Sequence, residues 1–241
     1  MLPKKQMICL SNRSFTPSIN PPPDRHHYGC KSYKPNVPGY MWFSQKSKNK
    51  GYLSEWHHFC TTNYPDGFDT IVNSEGKTNM ITAELSDTTI CINPSKYKKI
   101  LKQIRELYVQ NSNLSYLDKR LILLEAFKRT FKRRNISHVI CQIDSIEDVT
   151  TLEQIFSPLI PPEEDVDLVR DYHKKCTFMA SVIESFFSGV ELTERGYEET
   201  RFLPEMRGWD MPCWGIFDTD SIDVISEDWF HLKINDLSIS F

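Results

Sequence analysis

The chemistry-bearing residues that stand closest together are two histidine-cysteine groups, His26-His27-x-x-Cys30 and His57-His58-x-Cys60. A tetrahedral zinc takes nitrogen and sulfur ligands, and one His and one Cys from each group would complete such a set. Neither spacing matches a common zinc module, so both groups read as structural and no metal is expected. A cysteine nucleophile with a histidine partner is no better marked, because the seven cysteines are scattered without a C-x-x-C pair. An odd, dispersed set is the usage of a reducing compartment, where a free thiol behaves as a small core hydrophobe. Nucleotide and hydrolase motifs are missing as well. With nine glycines, the chain holds no G-x-G-x-x-G, no G-x-x-x-x-G-K-[ST] and no G-x-S-x-G.

What remains are single residues on short apolar segments. Glu191 lies in Gly189-Val190-Glu191-Leu192, where alternation turns it to the sheet face opposite Val190 and Leu192, which suits a solvent face or a cleft. Ser44 closes the aromatic run Tyr40-Met41-Trp42-Phe43-Ser44, whose ordinary reading is a core strand. Basic residues are concentrated elsewhere. From Lys96 to Arg134 there are 12 basic and 3 acidic residues, a local charge of +9 that leaves -12 for the rest of the chain. Such helices could dock an acidic protein face or phosphates, but without Gly-rich or aromatic RNA-binding signatures nucleic acid is not the expected partner.

Three separated segments, taken in order, resemble small phage and bacterial chains of the ADP-ribosyltransferase superfamily. Tyr40 to Ser44, followed by Glu55-Trp56 and Cys60, is similar to their aromatic strand ending in Ser and the short Glu-Trp helix behind it. Phe178 to Phe187 running into Ser188-Gly189-Val190-Glu191-Leu192 looks like their helix leading to a Gly-Ile-Glu strand. Gly208-Trp209-Asp210 with Cys213-Trp214 resembles their closing Gly-Trp-Asp block. Together these segments cover roughly a third of the chain, and the middle, residues 96–165, has no counterpart.

The resemblance implies a split β-sandwich with NAD in the cleft between its sheets, and transfer of ADP-ribose to a protein acceptor with release of nicotinamide. Ser11-Asn12-Arg13 stands where those chains carry His, so the implied triad is Arg13, Ser44 and Glu191. Arg13, with Ser11, would hold a phosphate or ribose of NAD through paired charged hydrogen bonds. Ser44 would position the nicotinamide-side ribose. Glu191 would accept a hydrogen bond from the ribose 2'-hydroxyl and stabilise the oxocarbenium-like charge. Trp42, Phe43 or Tyr40 would stack on the cationic nicotinamide. Gly189 stands where arginine-modifying members carry Glu or Gln, so arginine is not the acceptor implied.

The elements that must position these residues follow from periodicity. Met7 to Leu10 and Tyr40 to Ser44 read as strands flanking a proline-bearing loop, and Leu53 to Cys60 as a short helix capped by Ser54. Met80 to Leu85 and Thr88 to Ile92 are β-prone on either side of Ser86-Asp87, and Asp66-Gly67 marks a turn. Helices are expected over 96–110, 116–134 and 166–186, with a strand at Ile136 to Ile143 and an acidic loop over 145–165. Short strands at Gly189 to Leu192, Trp214 to Phe217 and Trp229 to Leu232 complete an α+β reading: one domain over 1–241, with 96–165 as a helical and acidic insertion. Hydrophobic residues at 39% and charged residues at 25% suit a packed domain, and no apolar run approaches membrane-spanning length. No secretory signal is legible, so a cytoplasmic site of action is expected, in the producing cell or in a host reached without one. Two alternatives stay open: an interaction module working through the basic helices 96–134, and an NAD glycohydrolase on the same fold.

Overall fold

The computed structural model describes residues 5–11, 14–15, 41–49, 51–63, 72–110, 116–132, 135–156, 186–206, 209 and 211–232. They form a mixed α and β structure built on two sheets. One is antiparallel, in the order β1-β3-β8, from β1 (Met7–Ser11), β3 (Lys77–Leu85) and β8 (Ile222–His231). The other has five strands in the order β2-β7-β6-β5-β4, from β2 (Met41–Phe43), β4 (Thr89–Ile92), β5 (His138–Ile143), β6 (Gly189–Leu192) and β7 (Cys213–Ile216). In that sheet β4, β5 and β6 run parallel, and β7 is antiparallel to both of its neighbours. Four strands, β2, β6, β5 and β4, therefore point the same way and bring their carboxyl ends to one edge.

Strand alternation sorts the five-stranded sheet into two buried faces. Met41, Phe43, Ile140, Trp214 and Ile216 point to the antiparallel sheet and pack with Met7, Cys9, Ile81 and Ala83 in one core. Ile92, Val139, Cys141, Ile143, Val190, Leu192 and Cys213 point the other way and pack under helices. Those helices are α2 (Lys98–Gln110), α3 (Tyr116–Lys132) and α4 (Ile146–Phe156), which contribute Leu101, Ile104, Leu123, Phe127, Phe131, Leu152 and Ile155 to the second core. The spacing of these residues is the three-and-four rhythm that places one apolar stripe on a helix. Their basic residues fall on the outer face, where Lys99, Lys102, Arg105, Lys128 and Arg129 are exposed.

The described residues between 96 and 156 are part of the same packed structure. They carry the crossover from β4 to its parallel neighbour β5, supply β5 to the middle of the sheet, and cover its outer face. The stretch expected as an acidic loop begins with α4, whose Glu147 and Asp148 occupy the first turn. There acidic side chains are favoured by the helix dipole and the free backbone N–H groups. Nor do β3 and β4 make a hairpin. After Leu85 the chain turns through Ser86, bonded to Thr89 and Ser221, and passes from one sheet to the other. The strand expected at Trp229 to Leu232 is the end of a ten-residue β8, whose largely exposed side chains show no buried alternation that would mark its length. The expected helix over 166–186 and the turn at Asp66-Gly67 fall almost wholly outside the described residues. Among the described residues, no helix is long and apolar enough to cross a membrane.

One buried acid fastens the carboxyl edge. Asp148 is 1% exposed; its Oδ1 accepts from the backbone N–H and hydroxyl of Ser95, and its Oδ2 from the N–H groups of Asp144 and Ser145 and the Ser145 hydroxyl. It ties the loop after β4 to the N-terminus of α4 after β5. Hydrogen bonds to a charged group are among the stronger ones, and orphaned buried donors are costly. Asp148→Ala should therefore lower the unfolding free energy in urea by ~3 kcal/mol, more than a typical surface substitution. A loss under ~1 kcal/mol would remove this role from Asp148.

Candidate functional site

The register across the five-stranded sheet places Phe43, Trp214, Glu191 and Gln142 opposite one another on β2, β7, β6 and β5. Residues in one such row share a face, here the face turned toward the antiparallel sheet. Glu191 therefore projects between the sheets and is only 3% exposed. Gly189, two positions before it, has no side chain to compete for the space into which Ile140 and Ile216 lean; a Cβ there would stand 2.7 Å from the Gly215 carbonyl.

A buried carboxylate needs partners, and Glu191 has them on both oxygens. Gln142 Nε2 donates to Oε2 at 2.6 Å, and Lys5 Nζ donates to Oε1 at 3.0 Å. The Lys5 ammonium also lies 5.8 Å from the centre of the Trp214 ring. On the β4 side the Cys91 thiol hydrogen-bonds the same carboxylate; burial, and after it the Glu191 charge, push that thiol well above its ordinary range. Cys91 is thus an inert thiol at neutral pH rather than a nucleophile.

The carboxylate opens onto a cavity of about 280 Å³ lined by Lys5, Gln45, Glu191, Thr193, Arg195 and Trp214. A second cavity of about 310 Å³ lies beside it over the carboxyl ends of β4 and β5, among Asn93, Ser95, Lys96, Asp144, Glu147 and Arg195. Both share Asp144 and Arg195. Open sheets bind ligands in crevices beyond the carboxyl ends of parallel strands, and this edge has that form. The wall between the cavities is built from the turn after β6. Thr193 caps α5 (Glu194–Thr200) by accepting from the Gly196 N–H at 3.0 Å, and donates to Asp144 at 2.8 Å. Arg195 Nε lies 2.8 Å from Glu199 and its guanidinium 3.8 Å from Asp144. The Glu199 hydrogen bond raises the Arg195 pKa above its ordinary value, and the same bond holds Glu199 below its own. Arg195 stays cationic in any accessible buffer.

The residues expected from sequence are distributed differently. Ser44 is buried, joined to Ile8 by two backbone hydrogen bonds of 2.8 Å, and its Oγ accepts from the Trp56 N–H at 3.2 Å. It holds the first turn of α1 (Glu55–Thr62) against the sheets and lines neither cavity. Gln45, the next residue, is the one that reaches the Glu191 cavity. Trp42 alternates to the helix side, where its ring meets Trp209 edge-on at 4.8 Å. Phe43 shares the Glu191 row but is 1% exposed and enclosed in the core. Ser11 ends β1 opposite Asn79. Arg13, Tyr40, Gly208 and Asp210 lie outside the described residues.

Of the histidine-cysteine groups, His26, His27 and Cys30 are also outside them. His57 is buried beside the Ser54 cap, with Nδ1 accepting from the Leu53 N–H at 3.1 Å; burial, with His58 next in size, lowers its pKa. Among the described residues no three His, Cys, Asp or Glu side chains are grouped to hold a metal. Gln142, Lys5 and Arg195 went unread in the sequence. Gln142 had a signal, being the polar interruption in the apolar run Val139 to Ile143. Lys5 had none, since its partner is 186 positions away.

Two measurements check these assignments. Ser44→Ala should cost ~1 kcal/mol in a urea titration, as for loss of a side-chain acceptor at a helix start; an unchanged midpoint would show that Ser44 does not anchor α1. The Cys60 thiol, pushed up to about 12 by burial, should resist iodoacetamide at pH 8 until the chain is unfolded. Mass spectrometry of native and denatured samples reads this directly, and rapid native labelling would refute its buried setting. No family model matches the chain, and neither a curated protein nor a solved structure does.

Proposed function

We propose that the chain is an NAD-dependent mono-ADP-ribosyltransferase in which Glu191 is the catalytic carboxylate, on a split β-sandwich of the kind the three sequence segments resemble. The observation that carries this reading is the setting of Glu191: an acid on the inter-sheet face, fixed by Gln142 and opening onto a cavity at the strand ends. In the reaction the bond between nicotinamide N1 and ribose C1' breaks, and nicotinamide leaves as a neutral base with the bonding electrons. The cation left at C1' is stabilised by the carboxylate, whose free lone pairs accept from the 2'-hydroxyl. A nucleophile on the acceptor then bonds to C1' and gives up its proton.

Arg195 on the cavity wall suits the pyrophosphate of NAD; Arg13, the cation the sequence offers for that role, lies outside the described residues. The aromatic contact passes from Trp42 and Phe43, which face away or are enclosed, to Trp214. Ser44 works through the scaffold. The second cavity, across Arg195, is where an acceptor side chain would approach, and the exposed basic faces of α2 and α3 are where its protein would dock. Hydrolysis in place of transfer needs only that water reaches C1' first.

The test is nicotinamide release from NAD by the purified protein, with and without a cell lysate containing labelled NAD. Wild type should release nicotinamide, and Glu191→Gln should be slower by about 10² or more, the usual loss when one electrostatic partner of a transition state is removed. Labelled protein in the lysate arm marks transfer. Absence of nicotinamide release together with absence of calorimetric NAD binding would sink the proposal.

A further inference from the structure

We infer that the corner formed by the Glu191 carboxylate and the Trp214 ring is a recognition site for an organic cation, and that Lys5 is its tethered occupant, which such a cation must displace. The inference does not depend on ADP-ribosyl transfer, because it concerns equilibrium binding alone.

A carboxylate beside an aromatic face is the combination that binds ammonium and pyridinium groups, one supplying net charge and the other a quadrupole. Here both act on one ammonium: Lys5 Nζ is 3.0 Å from Glu191 Oε1 and 5.8 Å from the Trp214 ring centre. The two fixed members are rigid. Glu191 is held from its far oxygen by Gln142, and Trp214 is 3% exposed within a paired strand. The ammonium is the movable member. Its side chain is 65% exposed while that of Glu191 is 4% exposed, and it stands on the coil before β1 at the rim of the cavity. A ligand that brings its own cation exchanges one positive charge for another at Glu191, so the buried carboxylate is never left unpaired and the displacement costs little. Once released, the Lys5 head reaches solvent on its flexible stem.

The charges around the corner agree with a cationic guest. Asp144 and Glu194 face the same cavity, with Arg195 the opposing charge, itself paired with Glu199 and Asp144. Glu194 meets Lys48 at 3.4 Å, but both side chains are largely exposed. Removing Lys5 would leave the corner with an unmatched carboxylate. The apparent affinity of a cation should then rise by the reciprocal of the fraction of molecules in which Lys5 had left the site open.

The probe is the N-methylnicotinamide cation, with neutral nicotinamide as its uncharged counterpart. Binding is read by calorimetry on the full chain, for wild type, Lys5→Met, which keeps the length of the stem, and Glu191→Gln. Lys5→Met should bind the cation about three- to fivefold more tightly than wild type, and Glu191→Gln more weakly. Neutral nicotinamide should bind poorly to all three. A second readout needs no variant: acetylation of Lys5 by a water-soluble ester, followed by mass spectrometry, should rise as the cation saturates the wild-type protein. Unchanged or weaker binding by Lys5→Met together with unchanged Lys5 acetylation at saturation would overturn the role of Lys5. Absence of cation binding in wild type and Lys5→Met, or equal binding of the neutral amide, would overturn the site. Cation binding without nicotinamide release would leave this inference standing while the enzymatic proposal falls.

Discussion

A sheet covered on both faces has no inexpensive place for a charge, and the arrangement around β6 follows from that constraint. The five-stranded sheet packs helices on one side and the antiparallel sheet on the other, so each strand residue faces one core or the other. Glu191 is assigned by alternation to the inter-sheet side. Its ionised form is tolerable there only because strand register supplies Gln142 on the neighbouring strand and the rim supplies Lys5. The absent side chain of Gly189, the enclosed thiol of Cys91 and the position of Trp214 are further consequences of fitting one carboxylate between two sheets.

The strand order then converts that buried group into an accessible one. Because β2, β6, β5 and β4 run in the same direction, the residues following each of them collect at one edge, and Gln45, Thr193, Asp144 and Asn93 all reach a cavity there. Glu191 sits one residue from the end of β6, close enough to that edge to meet solvent through the cavity. The edge is stiffened by the Asp148 clamp on one flank and by the Thr193 cap with the Arg195 ion pairs on the other. A site mounted on strand ends and held by satisfied hydrogen bonds keeps its geometry better than one on a free loop.

Much of this was legible in the residues, and the parts that were not have physical reasons. Periodicity identified α2, α3 and β5, because each carries a continuous apolar stripe or run long enough to read, whereas the short β6 was singled out through the resemblance of its Gly-Val-Glu-Leu segment. Ser54 was recognised as the cap of α1 from local chemistry, and its side chain accepts from the His57 N–H as expected. Helix α4 was hidden because its first turn is acidic, which lowers local hydrophobicity where a helix start prefers negative charge. Strand β8 was hidden because an exposed strand needs no apolar alternation. Glu191 could be singled out as one polar residue in an apolar strand. Its partners could not all be found that way, since pairing of Lys5 with a residue so distant in sequence is a property of the fold and leaves no local trace. Ser44 and Trp42 show the converse limit: a motif fixes residue types, but the pleat decides which face each one serves.

The two buried acids of this edge separate structure from function. Asp148 gives its oxygens to five donors in two loops, and the loops would lack those bonds without it; stability accounts for its presence. Glu191 accepts from the side chains of Gln142 and Lys5, lies against the Cys91 thiol, and ties down no backbone loop. A buried ion pair of that kind is rarely better for stability than apolar side chains of equal volume, and it often costs more than it returns. An apolar residue at 191 would extend the core already formed by Ile140, Trp214 and Ile216 on the same face. A carboxylate kept where packing would prefer a hydrocarbon, and opened to a cavity lined by mixed charge, is better explained by a ligand than by the fold.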